Sequence, residues 1–344
     1  MFAVIGLLTL CVVIPFPNVI AQQEIQILTL NTGLQFSIPW KQLRRRHIMN
    51  GIRTLQPDVV CLQEMYHSSD IEWLRMRLVR KFPEALSFSR RLVNTSTNAP
   101  LCQDPNVIAF LQCMAASCSG FNMNEENGII DLVRCLKTQC GSHMFSMPQE
   151  CLTCLFLFPN STEALSVCMN PETEINVPGL VLLSKKKFTE HKAVEHHPNV
   201  VEIAKQGYLY ANVNSLPFQN YVAQNLAEIK AILETFKETK PLLLIGDLNT
   251  GPELTDQNVC AYNKESYEVL TSPNSDLQHT IVDKCTYCKE STWTHADCDL
   301  IIDHIFTRCL VIKDIKRIYD DPKVRKKYHM SDHFGVMAKV VPEH

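Results

Sequence analysis

After Ala21 the 344-residue chain has no apolar run approaching the ~20 residues that a membrane-spanning helix needs. It also lacks an excess of basic charge. Its 33 Lys and Arg stand against 36 Asp and Glu, a net −3, so the general electrostatic footprint of a nucleic-acid-coating protein is missing. No internal repeat and no low-complexity linker interrupts it. The first 21 residues lack any charged side chain, and Met1–Ile14 is nearly all apolar. With Val19-Ile20-Ala21 as a cleavage site before Gln22, residues 1–21 read as a secretory signal peptide, broken by Pro15 and Pro17 and too short for a good span. The absence of Lys or Arg near its start keeps an uncleaved anchor as the alternative reading.

What the chain has in quantity is cysteine, 15 in all. In a secreted protein that density predicts disulfides. Cys11 falls in the leader. Cys61, inside the apolar run Val59–Leu62, reads as a buried free thiol, and Cys309 as its free counterpart, which leaves twelve cysteines for up to six bridges. Cys113 and Cys118 mirror Cys135 and Cys140 with the same Cys-x4-Cys spacing. Pairing Cys113 with Cys140 and Cys118 with Cys135 predicts an antiparallel helical hairpin stapled twice across Ser119–Gly128. Cys151-x-x-Cys154 and Cys285-x-x-Cys288 allow a four-thiolate zinc site as the alternative to disulfides. Asn94-Thr95-Ser96 and Asn160-Ser161-Thr162 are glycosylation acceptors, a pattern also common by chance.

The remaining pattern alternates strands and helices. Apolar runs predict strands at Ile25–Leu30, Val59–Leu62, Gly179–Ser184, Gly207–Asn212, Leu242–Ile245, Ser291–Thr294, Leu300–Phe306 and Phe334–Val340. Helical spacing marks Lys41–Leu55 (a basic amphipathic helix), Ile71–Phe82 and Gln219–Thr239, the last ended by Pro241. The Cys-rich module from about Leu101 to Asn170 interrupts this order as an insertion. Together these features predict a layered α/β sandwich.

Several of these strands run into polar residues: Asn31, then Glu64, then Asp247 with Asn249, then Asp303 with Asp332-His333. At a strand end, residues i and i+2 share a face, so Asp247 and Asn249 reach one target. Hard oxygen ligands suit magnesium, or another divalent cation such as manganese or calcium. Glu64 and Asp332 are the candidate ligands, with Asn31 beside them. Asn31 and Asn249 can also orient phosphate oxygens without adding charge. Asp303 is placed to fix the tautomer of His333 and raise its pKa, leaving an imidazolium for the phosphoryl oxygens or the leaving group. Asp247 would then position the attacking water. Taken singly, each such residue is more often a helix cap or a solvated turn; their recurrence at strand ends is what points to phosphoester chemistry.

The ordered combination Leu62-Gln63-Glu64, Gly246-Asp247-Leu248-Asn249 and Ser331-Asp332-His333, with Asn31, Gly179–Ser184 and Ile302-Asp303-His304-Ile305, resembles the endonuclease/exonuclease/phosphatase superfamily. That group includes deoxyribonucleases, abasic-site endonucleases, inositol-polyphosphate phosphatases and neutral sphingomyelinases. The resemblance covers about Ile25 to Val341 outside the insertion. It implies a four-layer α/β sandwich of two packed mixed sheets flanked by helices, with the disulfide-rich helical insertion added. It further implies a divalent metal on Glu64 and a catalytic Asp303–His333 pair. One position departs: where many members carry His before the long helix, Ala211–Pro217 places Asn214. Asn can hydrogen-bond a phosphate but cannot exchange a proton. This leaves open a catalytically impaired binding protein on the same fold.

Residues 51–66 and 71–78 look most similar to neutral sphingomyelinases, which implies phospholipid head-group hydrolysis. The competing reading is a secreted deoxyribonuclease-like endonuclease, with Arg44–Arg46, Lys185–Lys187 and Lys323, Arg325, Lys326 and Lys327 lining a phosphate groove. Solvated faces are the plain alternative for each cluster. Lys323, Arg325, Lys326 and Lys327, which precede the Asp332-His333 loop, are the strongest substrate-binding candidates. The apolar run Cys151–Pro159 offers a membrane-surface contact, against the alternative that it is the core of the disulfide module. The substrate partner is thus a phospholipid or nucleic acid, and nothing in the sequence calls for an obligate protein partner.

Overall fold

Two six-stranded sheets pack face to face in the computed structural model, and the apolar strand runs supply both of their inner faces. The structure describes residues 9–13, 24–34, 38–87, 90–91, 101–103, 105–119, 128–144, 146–147, 151, 154–155, 167–170, 174–176, 179–188, 193–195, 207–209, 221–294 and 297–343. Strands are β1 (Thr9–Val13), β2 (Ile25–Asn31), β3 (Val59–Gln63), β4 (Glu84–Ser87), β5 (Arg90–Arg91), β6 (Glu174–Ile175), β7 (Val181–Ser184), β8 (Ala193–Glu195), β9 (Gly207–Leu209), β10 (Leu242–Asp247), β11 (Gln278–His279), β12 (Asp303–Arg308), β13 (Leu310–Ile318) and β14 (Gly335–Pro342). Helices are α1 (Lys41–Leu55), α2 (Ser68–Leu78), α3 (Pro105–Ser117), α4 (Gly128–Met144), α5 (Tyr221–Thr235) and α6 (Lys264–Thr271).

One sheet runs β11-β12-β10-β1-β9-β8 and the other β13-β14-β2-β3-β7-β4. In β2 and β3, alternate residues serve two cores. Ile27, Val59 and Cys61 join the cluster that contains Leu243, Ile245 and Ile305. Leu28, Leu30, Val60 and Leu62 join the cluster under α1 and α2 with Ile48, Ile52, Ile71 and Leu74. A sheet covered on both faces needs apolar residues at every position, which is why these strands read as unbroken hydrophobic runs. Each fully buried Ile or Leu among them contributes roughly 1.5–3 kcal/mol.

The insertion folds as its cysteine spacing predicts. Cys113–Cys140 and Cys118–Cys135 join α3 to α4, and Cys102–Cys151 and Cys154–Cys168 close the rest of the module. Leu155 packs on this module's core, while Phe156–Pro159 lie outside the described residues. Cys285 pairs with Cys288, so neither CxxC motif offers thiolates to zinc. Cys260–Cys298 completes six bridges among the predicted twelve cysteines, and Cys309 is free.

Two expectations are corrected, and one strand had gone unnoticed. Cys61 is not a free thiol but is bonded to Cys11, because β1, read above as part of the leader, lies between β9 and β10 in the full-length chain. Ser291–Thr294 is a turn rather than a strand, closed by Ser291 N–H to Cys288 O at 2.9 Å and Thr294 N–H to Ser291 O at 3.3 Å. The edge strand β13 escaped detection because exposed Lys313 and Asp314 interrupt its apolar pattern at a register shift. Among the described residues no helix is long and apolar enough to cross a membrane.

Candidate active site

The predicted polar residues converge at one rim of the sandwich. Asn31 closes β2, Glu64 follows β3, and Asp247 closes β10. Asp303 opens β12, and because β12 runs antiparallel to β10, it lies opposite Asp247 in register. Asp332 and His333 come from the loop that enters β14, whose pairing with β2 returns that loop to Asn31.

Asn31 is the hub. Its Nδ2 donates to Glu64 Oε1 and Asp247 Oδ2, each at 3.1 Å, and its Oδ1 accepts from Gly33 N–H at 3.1 Å. Ser331 Oγ ties the opposite loop in, 2.7 Å from Asn31 O and 3.0 Å from Asp332 Oδ1. His333 Nδ1 lies 2.8 Å from Asp303 Oδ2, and its Nε2 lies 3.9 Å from Asp247 Oδ2. Asn249 contributes its backbone N–H to Asp247 Oδ1 at 3.0 Å, and its own carbonyl accepts from Asn263 Nδ2 at 2.6 Å.

Electrostatics follow from packing four carboxylates together. Burial, then the charge of Asp332, pushes Glu64 above the usual carboxylate range; burial, then Asp303, does the same to Asp247. Burial alone would lower His333, but Asp303, Asp247 and Asp332 overcome it and hold the imidazole well above its ordinary value. Nδ1–H then donates to Asp303, and Nε2 lies between Asn31 Nδ2 at 3.4 Å and Asp247 Oδ2 at 3.9 Å.

This surplus of negative charge fits a cation. Glu64 Oε2 is buried with no hydrogen-bond partner. A Cβ at Gly33, which has φ +51°, would stand 2.6 Å from Asp332 Oδ1, so the chain approaches that carboxylate as only glycine permits. Asp247, Asp303 and His333 form a second donor set, with ligand atoms within 4.8 Å of one another. There His333 Nδ1 and Asp303 Oδ2 are already engaged with each other.

Other candidates separate from the site. Asn214 lies outside the described residues. Lys323, Arg325, Lys326 and Lys327 are exposed on the approach to Asp332. Lys323 pairs with Asp321, and the Arg325 guanidinium sits 3.6 Å from the Trp40 ring centroid. Arg44, expected in a phosphate groove, is instead fully buried. Its guanidinium donates to the carbonyls of Thr32, Gly33, Ile38, Pro39 and Met330 at 2.8–3.2 Å. Burial lowers its pKa to about 10, resisted by Asp332, Glu64 and Asp70. Arg44 thus stands behind the candidate metal ligands as a fixed counter-charge. Sequence reasoning missed it, because an Arg in a basic helix normally points to water.

Also missed is a hydrogen-bonded chain of side chains behind Asp303. His304 Nε2 lies 2.7 Å from Thr250 O, His304 Nδ1 3.2 Å from His279 Nε2, and His279 Nδ1 3.2 Å from Tyr267 Oη. A carbonyl only accepts, so His304 donates from Nε2, His279 donates to His304 Nδ1, and Tyr267 donates to His279. Both rings are held neutral.

Residues 28–333 match the model of the Endonuclease/Exonuclease/phosphatase family. The chain belongs to that family. Its fold is also that of solved members. D. rerio TDP2 complexed with single-strand DNA product is 12% identical with a TM-score of 0.51, covering 92% of this chain and 99% of that one. An endonuclease/exonuclease/phosphatase from Bacteroides vulgatus is 12% identical with a TM-score of 0.52, covering 94% and 100%. Sphingomyelinase C from Streptomyces griseocarneus is 14% identical with a TM-score of 0.48, covering 92% and 99%. No curated protein matches the chain in sequence. Family members are typically hydrolytic phosphoesterases that use divalent metal ions, and this chain has the phosphoesterase fold with carboxylates placed to hold one.

Proposed function

We propose that this chain is a secreted, metal-dependent phosphodiesterase that releases the head group of a phospholipid of the sphingomyelin class. The observation that carries the hydrolytic reading is the acidic ring of half-buried Glu64 with buried Asp247, Asp303 and Asp332, and one imidazole pinned at 2.8 Å by Asp303. Glu64 and Asp332 would hold the divalent ion, backed by Arg44 and oriented through Asn31 and Ser331. When bound, the ion supplies Lewis-acid stabilisation to the phosphoryl oxygens.

The chain's own groups do the rest. Asp247, fixed by Asn31 Nδ2 and Asn249 N–H, orients a water toward phosphorus, and its raised pKa makes it a better proton acceptor. His333 presents Nε2–H to the oxygen on which charge develops. Asp303 keeps that ring in one orientation and protonated.

The lipid reading rests on surface chemistry and on the sequence similarity of residues 51–66 and 71–78 to neutral sphingomyelinases. Trp40 is 42% exposed under Arg325, beside Lys323, Lys326 and Lys327, and this aromatic-plus-basic pattern suits a head-group layer. Arg44 fastens the Pro39 and Met330 backbones that flank this patch to the site loops. Secretion rests on the uncharged leader and on the density of disulfides.

The test incubates the protein with sphingomyelin vesicles and with plasmid DNA, each with magnesium and with chelator. Chelator-sensitive release from vesicles alone is the expected result. Salt-sensitive nicking of DNA without lipid turnover would replace the lipid reading with a nuclease. No turnover of any phosphodiester would leave a binding protein on this fold.

A further inference from the structure

Between β11 and β12 the Cys285–Cys288 disulfide brackets only two residues, Thr286 and Tyr287, and both touch the catalytic pair. Thr286 Oγ1 accepts from Ile302 N–H at 3.0 Å and from Asp303 N–H at 3.1 Å. Thr286 O accepts from Phe334 N–H, the residue after His333, at 2.8 Å. Tyr287 forms a backbone bridge with His333, and the two rings lie 4.9 Å apart. Tyr287 is also paired with Leu300 through two backbone hydrogen bonds, at 2.9 and 3.0 Å. Thr286 is fully buried.

The bracket is fastened from behind. Arg317 Nη1 donates to Cys285 O at 3.1 Å and lies 3.3 Å from Cys288 Sγ. The same guanidinium sits 4.2 Å from the Phe334 ring centroid and pairs with Glu290 and Asp320. Asp303 and His333 come from different elements 30 residues apart, and Thr286 is bonded to the backbone of both loops.

We propose that Thr286 is a positioning residue for the Asp303–His333 pair, and that the Cys285–Cys288 disulfide is the clamp that holds it in place. This rests on the hydrolytic reading above. The reason is geometric. The Thr286 hydroxyl sets where β12 begins and hence where the Asp303 carboxylate points, while the Thr286 carbonyl sets the strand that carries His333. Covalent closure of the loop removes conformations in which these two anchors separate.

The test compares Thr286→Val, which keeps shape but removes the acceptor, with Thr286→Ser, which restores it, and with the double variant Cys285→Ser/Cys288→Ser. Two readouts are taken: kcat and KM on sphingomyelin vesicles with magnesium, and the downfield imidazole N–H resonance of His333, assigned by its loss in His333→Ala. Thr286→Val is expected to lower kcat about 10–100-fold, with KM within about twofold, since a displacement near 1 Å costs that much. Its His333 resonance should broaden or vanish. Thr286→Ser is expected to regain both, and the double-serine variant to lose kcat and sharpen no resonance.

A Thr286→Val enzyme with wild-type kcat and an intact resonance would overturn the proposal. So would a Thr286→Ser enzyme as impaired as the valine variant. If Thr286→Val does not fold, the double-serine variant decides alone, and an unchanged kcat and resonance there would refute the clamp. If the wild type hydrolyses no phosphodiester, the hydrolytic reading fails while the resonance comparison still decides the positioning role.

Discussion

His333 Nδ1 lies 2.8 Å from Asp303 Oδ2, and neither side chain is more than 2% exposed. A hydrogen bond so shielded fixes the ring's orientation and turns Nε2 toward Asn31 and Asp247. His333→Ala is expected to lower kcat by about 10²–10⁴-fold. Asp303→Asn should also impair turnover strongly, because a neutral amide no longer holds the ring protonated. Asn214→Ala should cost far less than His333→Ala. Steady-state kinetics on the three variants checks this ranking, and equal losses at His333 and Asn214 would mean the roles are misassigned.

Glu64 has one oxygen on Asn31 Nδ2 and the other buried without a partner. Glu64→Gln keeps the shape and removes the charge. It should weaken magnesium binding at least about 100-fold, beyond the ~10–100-fold typical of lost supporting partners. Thermal stability of the metal-free protein should hold or rise, because a carboxyl crowded by Asp332 is relieved. Titration calorimetry with magnesium and a melting curve in chelator measure both. Unchanged magnesium affinity would place the ion elsewhere, with the Asp247, Asp303 and His333 set as the alternative.

Arg44 makes a different kind of contribution. Its five carbonyl acceptors belong to the segments that position Asn31 and Asp332. Replacing it with Met leaves those carbonyls buried and unpaired and removes the counter-charge behind Glu64 and Asp332. Arg44→Met should cost about 3–5 kcal/mol in stability, as for a broken buried ionic contact. Arg46→Met, an exposed change on the same helix, should cost much less. Denaturant titration of the two variants separates a buried scaffold cation from a groove-lining one.

Much of this site was legible because chemistry and fold share one pattern. β2, β3 and β10 are buried on both faces, so they stand out as apolar runs, and the polar residues Asn31, Glu64 and Asp247 at their ends fall at the rim. Asp303 and His333 were legible as a pair for the same reason. Where local composition opposed tertiary context, the reading failed. Arg44 lies in a helix whose neighbours Arg45 and Arg46 suggest a solvated basic face, yet the carbonyls of two loops draw it inward. Ser291-Thr292-Trp293-Thr294 has the β-branched and aromatic content of a strand but is closed as a turn by Cys288 O. The His279–His304 chain leaves no local sequence signal, because its partners meet only across β11 and β12.

The thiol content distinguishes the two forms of the N-terminus. With Thr9–Val13 retained, Cys11 is bonded to Cys61 and only Cys309 among the described residues is free. A chain cleaved after Ala21 has lost Cys11, and Cys61 joins Cys309 as a thiol. We expect protein collected from culture medium to begin at Gln22 and to carry two thiols under denaturing alkylation. A single thiol together with an intact Met1 would show that β1 stays in the sheet and that the leader is not removed.

Acid should destabilise the protein in a definite window through the His304–His279 chain. Burial lowers His304 to about 4, against its adjacent Asp303 and the Thr250 carbonyl, and burial with His304 lowers His279 further. An unfolded histidine titrates near 6.5, so between about pH 6.5 and 4 the unfolded chain binds protons that the folded chain refuses. The stability from keeping His304 neutral is therefore complete above pH 6.5 and is lost as pH falls toward 4, on the order of 3 kcal/mol for that ring. Glu64 and Asp247, with raised pKa values, act with the opposite sign, so the comparison must be made against a variant with the same carboxylates. His304→Gln retains a donor for Thr250 O and cannot be protonated. The wild type should lose more stability than His304→Gln between pH 7 and 4.5 in urea titrations. Parallel pH curves for the two proteins would show that the ring is already charged, or already solvated, in the folded state.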